Sequence, residues 1–160
     1  MMHIVVAVNE HPVEDALGLL PRLAPLQGAD ALLVHVLDTG GREEWERGAA
    51  RRLFRPGGPA RHGDERMHAA DRAGGERALA RAAASAASSW PGARVETRLL
   101  QGSPKHEIRR LLDDEGADLL VVFVHGQEVG PKSIGKEARF LIDHAPCPVL
   151  VVKSVVSREP

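Results

Sequence analysis

The stretch Asp118-Leu-Leu-Val-Val-Phe-Val-His-Gly-Gln-Glu-Val-Gly-Pro-Lys-Ser-Ile-Gly-Lys136 decides the fold. Leu119 to Val124 is a continuous apolar run rich in β-branched residues, the pattern of a strand buried on both faces. The run breaks into a loop holding Gly126, Gly130 and Gly135. Ile134, Ala138, Leu141, Ile142 and Ala145 then follow at offsets of four, seven, eight and eleven, a helical face. Strand, glycine loop and helix in that order aim backbone N–H groups at an anion.

Working outward, strands alternate with helices along the whole chain. His3 to Val8, Ala31 to Leu37, Arg94 to Leu100 and Val149 to Lys153 read as the remaining strands. Val13, Ala16, Leu17, Leu20 and Ala24 carry a helical face that Pro21 and Pro25 should kink or shorten, with Gly28 closing it. A helix resumes after Asp64 and runs to Ser89 with Leu79, Ala82, Ala83, Ala86 and Trp90 on its buried side, and Gly74-Gly75 is a place for it to split. Ser103 as N-cap and Pro104 at the first helical position start another helix. Ile108, Leu111 and Leu112 give its face, and Gly116 ends it. This alternation predicts an open, doubly wound parallel α/β sheet with helices on both faces. Ligands in such sheets bind beyond the carboxyl ends of the strands, where strand order reverses. The expected site is therefore Asn9-Glu10, Val36 to Asp38, Gly102-Ser103 and Gly126 to Lys136. Asp38 to Gly63 has no apolar period and is dense in Gly, Arg and Pro, so it is expected to be a mobile insert within one 160-residue domain.

Composition narrows the function classes. A net charge of −1 with three Phe and two Trp makes no electrostatic or stacking case for nucleic acid or a membrane surface. The single cysteine, Cys147, excludes an internal disulfide and a Cys-cluster zinc site, and reads as a small core residue. No apolar run approaches the ~20 residues of a spanning helix, and the chain enters a strand without a signal-peptide pattern. A cytoplasmic protein is the expectation. Asp113-Asp114-Glu115 reads as a solvated helix end, and His62 and His68 beside Asp64 and Glu65 lie in a segment poorly suited to hold a metal.

Five stretches together resemble the universal stress protein family. They are Ile-Val-Val-Ala-Val at 4–8, Leu-Val-His-Val at 33–36, Gly-Ser-Pro at 102–104, Glu-Gly-Ala-Asp-Leu-Leu-Val-Val at 115–122 and His-Ala-Pro-Cys-Pro-Val-Leu-Val-Val at 144–152. The resemblance spans the chain except about Gly40 to Gly75. It implies a five-stranded parallel sheet of order 3-2-1-4-5, a cytoplasmic homodimer and a role in stress survival. One branch of the family binds ATP and another does not. The ATP-binding branch carries G-x2-G-x9-G-[S/T] after the fourth strand. On this chain the first glycine falls on Phe123, eight residues separate Gly126 from Gly135, and Lys136 takes the Ser/Thr position. Asn9 stands where the family has an acidic residue, and Val36 retains the valine beside adenine. A phenylalanine at 123 is expected to fill space that phosphate would need.

A second pattern overlaps the first. Gly130 to Lys136 matches G-x-x-x-x-G-K, but Glu137 stands where a Mg²⁺-binding Ser/Thr belongs, and the loop starts several residues after its strand. Lys136 at a helix start opposes the helix dipole, which makes sense beside an anion. The alternative is an ordinary ion pair with Glu137 or Asp143. His35 and His125 sit at strand ends near the crevice. The resemblance implies a cofactor-binding set of Ala7, Asn9, Val36, Gly102, Gly126, Gly130, Ser133, Gly135 and Lys136. ATP or another adenine nucleotide is the ligand such a set would take. No catalytic residue or metal ligand is assigned. The expected function is a non-catalytic stress-response binding module with weak or absent ATP binding. An adenine-nucleotide sensor and a weak ATP hydrolase are the alternatives. The expected partner is a second copy, joined through Val149 to Lys153.

Overall fold

The computed structural model describes residues 1–9, 13–23, 26–39, 61–125 and 133–154, with the side chains of 61–68 and 154 excepted. Five strands and four helices follow in turn. They are β1 (His3–Ala7), α1 (Glu14–Leu23), β2 (Asp30–Asp38), α2 (Arg61–Ser89), β3 (Arg94–Gly102), α3 (Pro104–Glu115), β4 (Leu119–His125), α4 (Lys136–His144) and β5 (Val149–Ser154). All strand pairings are parallel, and the order is β3-β2-β1-β4-β5. The chain steps from β1 out to β3, then crosses back to β4. Strand order therefore reverses between β1 and β4, and a crevice opens at their carboxyl ends.

Side chains alternate across the sheet into two core layers. Val6, Leu33, Val121 and Phe123 pack with Leu17 and Leu20 of α1 and with Leu79, Ala82 and Ala86 of α2. Val5, Val34, Leu120 and Val122 pack on the other face with Ile108, Leu111 and Leu112 of α3 and Ala138 and Leu141 of α4. Strands buried on both faces explain the apolar runs of β1 and β4, and that of β2, which His35 alone interrupts. The edge strand β3 is half-buried to exposed throughout, which matches its partial alternation in sequence.

Several local expectations are corrected. α1 ends at Leu23, and Gly28 lies beyond it with φ 74° in a turn before β2, so it does not cap the helix. Pro21 lies within the last turn of α1 and cannot donate to the carbonyl of Leu17. Trp90 Nε1–H donates to that carbonyl at 2.8 Å instead, tying the end of α2 to α1. α2 begins at Arg61, ahead of Asp64, and passes Gly74-Gly75 without a break. A Cβ at Gly75 would stand 2.6 Å from Cδ2 of His35 and 3.0 Å from Cδ1 of Leu99. Gly75 thus lets α2 lie close against His35 and Leu99 of the sheet. Ser103 occupies the N-cap position of α3 without a side-chain cap bond, while Gly116 adopts the left-handed conformation at its end. Ile142 is exposed; Ala138 and Leu141 are the residues α4 buries. Cys147 is half-buried against the second layer, and burial pushes its thiol up. Most of the insert expected over Asp38 to Gly63 lies outside the described residues. At its margins, Asp38 closes β2 and residues 61–63 belong to α2.

Candidate functional site

The crevice at the β1/β4 reversal contains a cavity of about 550 Å³. Its apolar walls come from Val36 of β2, Val122 and Val124 of β4, Ile108 of α3, and Ile134 and Leu141 around α4. Both α3 and α4 start at its rim, at Pro104-Lys105 and at Lys136-Glu137. The first N–H groups of a helix have no partner within the helix, and the dipole there favours negative charge. Two helix starts and two lysines, Lys105 and Lys136, thus face one space. This arrangement can hold an anion at one end and a flat apolar group against the valines.

The rim also carries negative charge. Glu137 sits in the first turn of α4, where loss of hydration, then the charge of Asp38, raise its carboxyl above the usual value, while Lys105 opposes them. At the end of β1, Val8 N–H donates to Val34 O at 2.8 Å, and the buried His35 donates from Nδ1 to Val8 O at 2.8 Å. His35 therefore pins the segment that carries Asn9 into the cavity. His125 lines the cavity from the end of β4.

Of the residues expected from sequence, Ala7, Asn9, Val36, Gly135 and Lys136 all line the cavity. Gly102 and Ser133 are described but are not among its lining. Gly102 has φ 139°, and a Cβ there would meet Cγ of Glu107 at 2.9 Å, so backbone and neighbour account for this glycine without a ligand. Gly135 has φ 82° with open space around a notional Cβ, so its conformation rather than its small size requires glycine. Gly126 and Gly130 lie outside the described residues. Phe123 also lines the cavity, while its side chain belongs to the core layer under α1 and α2. Among the described residues no group of three or more His, Cys, Asp or Glu gathers to hold a metal. Asp113 and Glu115 pair with Arg109 and Arg98, as suits a solvated helix end. The side chains of His62, Asp64, Glu65 and His68 lie outside the described ones. Lys105 escaped the sequence reading, although it repeats the signal of Lys136: a lysine in the first turn of a helix.

Solved structures share this architecture. Universal stress protein UspA from Lactobacillus plantarum superposes with a TM-score of 0.69 at 21% identity, over 94% of this chain and 97% of that one. The universal stress protein from Archaeoglobus fulgidus in complex with dAMP gives 0.63 at 24%, over 94% and 97%. A universal stress protein family protein from Arabidopsis thaliana with AMP bound gives 0.62 at 20%, over 100% and 96%. At these identities each shows the fold. Membership rests on the model of the universal stress protein family, which matches residues 1–153: the chain belongs to that family.

Proposed function

We propose that the cavity binds an adenine nucleotide, and that the chain acts as a non-catalytic cytoplasmic module of the stress response. The observation that carries this reading is that two helix starts, with Lys105 and Lys136, line one apolar-walled cavity. Val36 and Ile108 offer faces for a base, and the helix starts offer N–H groups and charge for a phosphate. Relatives of the same fold were solved with dAMP and with AMP, which supports a nucleotide of this size. Among the described residues no helix is long and apolar enough to cross a membrane, in keeping with this setting.

ATP fits less well. Asn9 brings no carboxylate to a metal, and Glu137 at the rim, with the charge of Asp38 near it, repels further phosphates. ATP should bind with a Kd above ~0.1 mM, which corresponds to about 5.5 kcal/mol. Titration calorimetry with AMP and ATP, with and without Mg²⁺, tests the reading. AMP is expected to bind more tightly than ATP, with no ADP released from ATP. Micromolar ATP affinity would refute the weak-site claim, and steady ADP release the non-catalytic one.

A further inference from the structure

Lys105 has a defined seat. Its Nζ lies 5.3 Å from the centroid of the Phe140 ring, across the groove between α3 and α4. Phe140 is one turn along α4 from Lys136 and Glu137, so the seat adjoins the cavity rim. The ring is itself held on two sides. His144 stacks on it with centroids 4.1 Å apart and planes 19° from parallel, and His106 meets it edge-on at 5.2 Å. His144 also donates from Nδ1 to the Phe140 carbonyl at 2.9 Å, which fixes its stacked position within the helix.

Phe140 is half-buried and packs against the core layer of Ala138 and Leu141. The aromatic ring adds a face of negative potential that attracts an ammonium group. Lysine loses much rotamer freedom when it is ordered on a ligand. A lysine already seated beside its target has less to lose, and binding gains accordingly.

We propose that Phe140 is a positioning residue for Lys105. It keeps the ammonium at the cavity rim and so makes the site prefer phosphorylated nucleosides over nucleosides. The inference rests on the nucleotide reading above and names what confers selectivity within it. His106 and His144 act through the ring by holding its face toward Lys105.

The test is calorimetry with AMP and adenosine on the wild type, Phe140→Leu, Phe140→Trp and Lys105→Gln. Phe140→Leu should weaken AMP about three- to tenfold and leave adenosine within about twofold. Phe140→Trp should restore AMP binding, because tryptophan offers the better cation-binding face. In a Lys105→Gln background, Phe140→Leu should cost nothing further for AMP. Equal losses for AMP and adenosine, or no rescue by tryptophan, would overturn the proposal, since a packing role predicts both. If the wild type binds neither ligand, the nucleotide reading fails, and NMR decides the seat alone. The ε-methylene protons of Lys105 should be shifted upfield by the ring and return to their ordinary position in Phe140→Leu. An unshifted methylene in the wild type would overturn the seat.

Discussion

A methyl group added at Gly75 has nowhere to go, because the imidazole of His35 and the side chain of Leu99 already occupy its position. His35 is held from below by its bond to Val8 O, so it cannot move aside without loosening the end of β1. Gly75→Ala should therefore destabilise the protein by about 1–3 kcal/mol despite alanine's better helix propensity, as urea unfolding would measure. Glu137 makes the opposite case. Its carboxyl is raised by lost hydration and by Asp38, so the folded state holds its proton more tightly than the unfolded chain does. The charged form therefore opposes folding above the folded pKa, and that opposition fades as pH falls through it. Glu137→Gln should stabilise the protein at pH 7, and the gain should shrink as pH falls through the raised folded value and vanish below the ordinary glutamate value of about 4.3. The same change removes a negative charge from the rim, so AMP should bind a few-fold more tightly. Lys136→Glu should abolish binding. Single residues were legible in sequence where a family pattern or a charge against a helix dipole marked them, as with Val36, Asn9 and Lys136. The roles of Phe123 and Gly102 were not. The first depends on which face of β4 a side chain takes, and the second on where Glu107 lies.

Elements were legible to the extent that one physical signal dominated them. β1, β2 and β4 are apolar and buried on both sides. α2 was harder, because Arg61 to Ala73 offers no apolar period and only the stretch from Ala78 to Trp90 buries a clear face. The joint between α1 and α2 was invisible for a different reason. Pro21 deprives the Leu17 carbonyl of its helical donor, and the replacement comes from Trp90, 73 residues away. This joint predicts a coupling between the two positions. Trp90→Phe should cost about 1–3 kcal/mol, in part because a buried carbonyl loses its donor. Pro21→Ala supplies a backbone N–H four residues after Leu17. The cost of Trp90→Phe should therefore be smaller in the Pro21→Ala background, a difference that a double-mutant cycle in denaturant would read. Equal costs in both backgrounds would show that Trp90 acts through packing alone.

At the scale of the whole molecule, strand order places β5 at one edge of the sheet, where among the described residues it pairs with β4 alone. Val149 to Val152 remain half-buried, with Leu150 and Val152 against one core layer and Val149 and Val151 against the other. No charge or proline interrupts these four residues, so nothing in the strand itself blocks pairing with another strand. A two-fold axis beside β5 would set two copies antiparallel and extend both core layers across the joint. The backbone shows where to test this. Leu120 N–H donates to Pro148 O at 3.0 Å, so residue 148 faces β4. The polar groups of alternate strand residues point to opposite sides, which turns residue 150 inward and residue 151 outward. Val151→Pro thus removes an outward donor while leaving the pairing with β4 intact, a placement that edge strands tolerate. The variant should fold with nearly the stability of a monomer, yet each dimer would lose that donor on both strands. Sedimentation equilibrium should find the wild type dimeric at micromolar concentration and Val151→Pro shifted toward monomer. A wild type that stays monomeric at high micromolar concentration would mean that this chain covers its own edge.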